Sequence, residues 1–472
     1  MKFTISLLLC ASMAFAQATA DQQAALQRIT ANSLKGDVAF LASDLLEGRD
    51  TPSAGLNIAA EFIAAQFRRA GLEPIAPDGS YLQTASMVVQ TSAPKGHRIS
   101  LRGGEKDIVL DEGLLVRNEA ALQLKEEIVW KFDAESLRKS TPAELKDKVI
   151  VLETLPMQAA RQLQQSAAKL IIIASRMPSR GAAGRIVDKS RPSYGPIVSV
   201  ESAELRDAIH DLPTGRTQML ADIRLAAPEE KPFQASNVVG ILRGSDPELS
   251  NTFVLVSAHY DHLGISPREG ADRIFNGAND DASGTASVIE AAYALGALKQ
   301  RPKRSIVFMA FFGEEKGLIG SRYFAGHPLI ALDKAVASLS LEQIGRTDEE
   351  KGPAIKSVRF TGQDFSDLPT MMRPALEAAG VKIELDDSER SASFFARSDN
   401  VSFAEKGIPA HTLCVAYVYP DYHGLADHWD KLDYTNMETV VRGITAGLLS
   451  LADNTASPKW NKDNPAAARF AK

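Results

Sequence analysis

The chain has 472 residues, 44% of them hydrophobic and 24% charged, with a formal net charge of −6. That is material for two or three soluble domains with ample core. No block of Lys or Arg stands out, which argues against nucleic acid or an anionic membrane as a partner.

In chain order, the first expected element is a processing signal. Lys2 precedes an apolar stretch at residues 3–16, and the small-residue motifs AFA and ATA follow. Such a pattern is a secretory signal peptide, too short to span a bilayer. Cleavage is expected before Asp21, with Gln17 as the alternative, so the mature protein should be secreted or periplasmic with no membrane-embedded part. Cys10 leaves with the signal, and Cys414 alone cannot form an intramolecular disulfide.

Residues 30–75 read as helices. In LNIAAEFIAAQFRRAGLEP, Ile58, Ala59, Phe62, Ile63 and Phe67 share one helical face, and Gly71 and Pro74 supply the stop. From about residue 111 to 230 the character changes to short β-type runs, VIVL, LIIIAS and PIVSV, between polar and Gly- or Pro-containing segments. This reads as a small β-rich domain inserted into a larger one. Beyond Ser236, strand-like NVVGIL, FVLVSAH, SIVFMAFF, AVASLSL and HTLCVAY alternate with helical stretches. That alternation predicts an α/β domain with a largely parallel sheet flanked by helices. The expected division is a signal peptide at 1–20, the larger domain at 21–110 and 231–455, the insertion at 111–230, and a loose polar tail at 456–472.

Ligands of open α/β sheets sit beyond the carboxyl ends of the strands, and there the polar clusters fall. SAHYDH (His259, Asp261, His262) follows one strand, and NGANDDASG (Asp280, Asp281) opens a helix. Glu314 and Glu315 follow SIVFMAFF, Glu342 follows ASLSL, and PDYHGLADHWDKLDY brings His423 and His428. Singly, each has a bland reading as a structural histidine, a helix cap or a solvent-facing acid. Together they would be costly at one sheet edge without partners. Imidazole and carboxylate are the mixed ligand set that suits zinc. Two zinc ions held by Asp280, Glu315, Glu342 and two neutral histidines leave one positive charge, which a bound hydroxide balances. That hydroxide is the nucleophile of metal-assisted hydrolysis, and Glu314 is then free to act as general base.

With these blocks in this order, the chain resembles the co-catalytic zinc exopeptidases of the aminopeptidase S, aminopeptidase Y and glutamate carboxypeptidase family. LASDLLEGRDTPSAG at residues 41–55 is similar to the family's N-terminal block, and SDNVSFAEKGIPA adds another. The resemblance implies that His259 binds one metal, Asp280 bridges both, Glu342 completes the first, and Glu315 and His423 bind the second. It implies Glu314 as the base, Asp261 as the residue orienting His259, and Asp281 as a support for the Asp280 backbone. It also implies peptide substrates, cleaved from the N-terminus. His97, His210 and His327 are read as surface residues, and His262, His411 and His428 compete with the two chosen histidines.

Two positions depart from the family pattern: Glu342 stands where its aminopeptidases commonly carry Asp, and Asn400 where relatives often carry His. ELKDKVIVLE with ARQLQQSAAKLIIIAS resembles a protease-associated (PA) domain. A carboxypeptidase or dipeptidase of the glutamate carboxypeptidase type is the alternative, with Arg346, Arg390 and Arg397 as candidates for a C-terminal carboxylate. A catalytically degenerate binding protein of the same fold is the third reading.

Overall fold

The computed structural model describes residues 18–155 (except 105), 163, 166–174, 184–190, 195–350 and 352–471. The apolar stretch expected to be a signal peptide and part of the segment that resembles a PA domain lie outside them. Among the described residues no helix is long and apolar enough to cross a membrane. The chain divides into two compact units, residues 86–233 and residues 1–85 with 234–472.

The 86–233 unit is built on an eight-stranded mixed sheet. Its parallel centre, Val149–Leu152 beside Leu170–Ala174 beside Ile197–Val200, is formed by the β-branched runs VIVL, LIII and IVSV. The fully buried Val149–Leu152 and Leu170–Ala174 suit a strand covered on both faces. The helix Ala203–His210 lays Leu205 and Ile209 onto the core that contains Ile172, Val198 and Ile223.

The larger unit is a mixed sheet flanked by helices. Four parallel strands run side by side in the order Ser305–Phe311, Phe253–His259, Ala335–Leu341, Ala410–Cys414. Two antiparallel neighbours close the row: residues 238–242 along Ser305–Phe311, and Arg359 and Phe360 along Ala410–Cys414. Each of the first two central strands is buried along its whole length, which explains their unbroken apolar character. Because the four strands are parallel, His259, the Glu314–Glu315 pair, Glu342 and Cys414 all leave the sheet at one edge.

The helix Ser283–Gly296 packs against this sheet and against Ala54–Arg69 and Ala31–Leu41. Its small residues allow the close approach. A Cβ on Gly284 would stand 2.1 Å from the Leu341 carbonyl oxygen and 2.4 Å from the Asp281 carboxylate, so only glycine fits there.

Three expectations are corrected. The helix Ala54–Arg69 buries Leu56, Ala59, Ala60, Ile63, Ala64 and Phe67, while Ile58 is 48% exposed. The neighbouring helix Ser283–Gly296 selects the small, alanine-rich stripe over the bulkier one, and Phe62 stacks at the margin on Phe40 at 4.3 Å. His97 is buried rather than superficial: its Nε2 lies 2.9 Å from the Ala93 carbonyl, and its Nδ1 accepts the Ala226 N–H. The tail is not loose. Trp460, Ala467 and Phe470 join the core with Phe365 and Phe395, and the Trp460 indole N–H donates to the Gly407 carbonyl at 2.9 Å. Two aromatic anchors in a polar stretch are enough to dock it.

Candidate metal centre

Four loops at the sheet edge converge with a fifth from the residue 420–428 segment. His259 ends its strand, and its Nε2 stands 3.2 Å from Asp280 Oδ1. The other Asp280 oxygen, Oδ2, faces the opposite way, 3.1 Å from His423 Nε2. The same His423 nitrogen is 3.3 Å from Glu315 Oε2. Glu314 and Glu342 share one cavity with His259, Asp280 and His423. The structure thus brings all seven sequence-predicted residues into one neighbourhood. Asp261 enters through its carboxylate, which accepts the Glu314 N–H at 3.0 Å, while its carbonyl oxygen is 3.2 Å from His259 Nδ1.

The scaffold behind these groups is a set of backbone N–H groups held by carboxylates and amides. Asp281, joined to Asp280 by a cis peptide, accepts from the N–H groups of His259, Gly284 and Gln343. This ties the first strand, the helix start and the loop after Glu342 together. Asn279 Oδ1 accepts from Gly345 and Arg346. Asp427 accepts from the N–H groups of Asn279 and Asp280 and from the Tyr419 hydroxyl. Asp427 escaped sequence reasoning because it lies 147 residues from Asp280. Its place in the ADHWD motif was the only available signal.

The competing histidines separate cleanly. His411 lies in an aromatic core, 2.6 Å from Ser366 Oγ and 2.7 Å from the Thr361 carbonyl, and burial lowers its pKa to about 4. His428 pairs with Asp272 at 3.4 Å. His262, passed over in the sequence, belongs to the cluster: its Nδ1 is 2.8 Å from Glu315 Oε1 and 4.0 Å from Asp280 Oδ2. Its ring is fully buried against Gly277, where an added Cβ would come within 2.5 Å of it. Tyr422, stacked on His423 at 4.0 Å, also lines the cavity and was missed.

The electrostatics mark the cluster as a sink for positive charge. Burial opposes protonation of His259, yet Asp261 and Asp280 hold its pKa well above the usual value. His423 is pushed up to about 10 against burial by Asp280 and Glu315. Burial, opposed by His259 and reinforced by Glu342 and Glu315, moves Glu314 well above the carboxylate range. Burial also raises Glu342 to about 7, although His259 and the Ser398 hydroxyl counteract it.

The residues also fit a metal. Asp280 Oδ2, Glu315 Oε1 and both ring nitrogens of His262 are buried without a well-angled hydrogen bond among the described residues, although His262 Nδ1 is 2.8 Å from Glu315 Oε1 and Asp280 Oδ2 is 3.1 Å from His423 Nε2. His262, Asp280 and Glu315 each offer one ligand atom within 4.8 Å of the others. Orphaned donor atoms of this kind are what a cation satisfies.

Residues 237–447 match the model of peptidase family M28. A probable zinc metalloprotease of Leptosphaeria maculans is 34% identical over 148 residues, 31% of this chain and 32% of that relative. Aminopeptidase YwaD of Bacillus subtilis is 26% identical over 234 residues, 48% of this chain and 47% of the relative. The matches thus span less than half the length of these two curated relatives. Among solved structures, the aminopeptidase from Aneurinibacillus sp. strain AM-1 superposes with a TM-score of 0.57 at 19% identity, covering 92% of this chain and 96% of that one. At that identity the likeness is one of fold. Residues 237–447 therefore carry the sequence pattern of peptidase family M28 on the α/β fold of a solved aminopeptidase.

Proposed function

We propose that the chain is an exported, zinc-dependent exopeptidase that removes N-terminal residues from peptides. One observation carries the reading: the two Asp280 oxygens face opposite groups, Oδ1 toward His259 and Oδ2 toward His423, whose same nitrogen also approaches Glu315. A carboxylate so placed can bridge two cations. His259 and Glu342 would hold the first, and Glu315 and His423 the second, with the buried His262 beside them. When bound, the ions supply Lewis acidity toward a carbonyl oxygen and lower the pKa of water.

The chain's own groups do the rest. Glu314, partly buried and fixed through its N–H on Asp261, accepts the proton of the attacking water and delivers it to the leaving nitrogen. Asp261 also keeps His259 oriented, as partners of ligating histidines do. Burial of the cluster favours bound peptide over bulk water around the reacting amide. We assign to the 86–233 unit the role of a PA-like module.

Metal removal tests the reading. The purified protein is expected to contain two zinc ions per chain and to hydrolyse leucyl p-nitroanilide. A chelator should abolish that hydrolysis and lower the thermal midpoint, because an ion bound only by the folded state stabilises it; zinc should restore both. Undiminished hydrolysis in demetallated protein, or none in zinc-loaded protein, refutes the proposal.

His262→Ala offers a separate check on the centre. Losing a ring that orients Glu315 is expected to weaken zinc binding by about 10–100-fold, read by competition with a chromophoric chelator. Unchanged affinity would return His262 to a purely packing role.

A further inference from the structure

Of the three arginines named as candidates for a carboxylate, Arg346, Arg390 and Arg397, two are committed. Arg346 donates to Asp348 and Asp421, each at 2.8 Å, and Arg390 pairs with Glu349 at 2.9 Å and Asp386 at 3.1 Å. Arg397 has no carboxylate partner among the described residues, and it lines the same cavity as His259, Asp280, Glu314 and Glu342. Its guanidinium lies over the Phe394 ring, 4.9 Å from the centroid. Phe394 is itself stacked on Tyr417 at 4.5 Å with the rings 8° from parallel, so the cation rests on a stacked pair of rings. The next residue, Ser398, donates its hydroxyl to Glu342, which seats Arg397 beside the proposed metal ligands. Its charge is felt at the Tyr422 hydroxyl on the cavity wall.

An exposed arginine beside several carboxylates would ordinarily turn to pair with one. Here Asp280, Glu315 and Glu342 have histidine or Ser398 partners, and the guanidinium lies over the Phe394 ring instead. A planar guanidinium so fixed loses little freedom on forming two parallel bonds to a carboxylate.

We propose that Arg397 reads a carboxylate on the substrate, and so directs the site toward peptides that carry one within reach of the scissile bond. The carboxylate is either the side chain of an acidic residue or the C-terminus of a dipeptide. This inference rests on the exopeptidase reading above and deepens it by naming a substrate class.

The test uses zinc-loaded wild type, Arg397→Met and Arg397→Lys on matched pairs: glutamyl against leucyl p-nitroanilide, and Leu-Leu against Leu-Leu-amide. Wild type is expected to favour the carboxylate-bearing member of at least one pair by about 10–100-fold in kcat/KM, in Arg397→Met that ratio should fall to within about twofold of unity, and Arg397→Lys should keep part of it. A glutamyl preference identifies the side chain as the source, and a Leu-Leu preference identifies the C-terminus. No preference in wild type, or a ratio unchanged in Arg397→Met, overturns the assignment.

Calorimetric titration of the same proteins with L-glutamate, L-leucine and Leu-Leu-amide gives a readout independent of turnover. If nothing is hydrolysed but glutamate binds more tightly than the other two, and only with Arg397 present, the peptidase reading fails and the carboxylate site stands. If glutamate binding is equal in wild type and Arg397→Met, or absent from both with no hydrolysis, the site falls as well.

Discussion

Glu314→Gln is expected to lower kcat by about 10²–10⁴-fold, the range that a positioned general base contributes, while zinc content stays at the wild-type level. Glutamine keeps the shape of the side chain and leaves the backbone bond from residue 314 to Asp261 intact. What it removes is the ability to take a proton. The neighbouring carboxylate faces the opposite fate: Glu315 is held at a pKa of about 2, burial and Asp280 being outweighed by His262 and His423. One acid of the doublet is thus drawn toward the proton and the other toward cations. Metal analysis of Glu314→Gln beside its kinetics separates the roles. Full turnover would remove the base assignment. Loss of zinc with turnover would mean that the two glutamates had been exchanged.

The second large effect is expected at Arg49, which is not among the residues lining the cavity. Its side chain is fully buried and donates to four backbone carbonyls, those of Leu41, Tyr260, Asn276 and Gly277. Its own carbonyl accepts the His262 N–H. The guanidinium therefore clamps the N-terminal segment to both loops that carry His259, Asp261 and Asp280. Burial lowers its pKa to about 10, and the surrounding charges of Asp261, Asp427, Asp281 and Asp280 limit the fall.

Arg49→Met strands four acceptors in a buried place. The expected cost is on the order of 3–5 kcal/mol, a Tm drop of about 5–10 °C. A lysine should recover little of it, since one ammonium cannot reach four carbonyls set around a planar fork. Zinc affinity should fall alongside stability, because the loops then lose their register. Thermal unfolding and chelator competition on the same preparation check both parts, and a variant with wild-type Tm and affinity would dismiss the clamp.

Much of this was legible in the amino-acid sequence, and for a physical reason. A strand buried on both faces must be apolar throughout, so SIVFMAFF and FVLVSAH announced themselves. Charged groups at the ends of such strands are costly without partners, which made His259, Asp280, Glu314, Glu315 and Glu342 conspicuous together, while His423 was singled out by the family resemblance. The N-terminal block containing Arg49 was visible as a pattern, but nothing local indicated that its cation would serve four carbonyls from three segments.

Other features depend on packing between residues far apart in the chain. Which stripe of the helix Ala54–Arg69 turns inward was settled by the small residues of the helix opposite, not by its own hydrophobic count. The tail reads as polar until Trp460 and Phe470 find Phe365 and Phe395. The choice among eight histidines followed the same logic: His411 has the better strand position, yet its hydroxyl and carbonyl partners occupy it. His262 is left buried among acids, its Nδ1 2.8 Å from Glu315 Oε1. By itself the sequence determined the α/β sheet and the edge where charge must gather, because periodicity and the cost of buried charge are local. Only the tertiary structure decided which donors remain unsatisfied there, because that depends on every partner the fold brings within a bond's length.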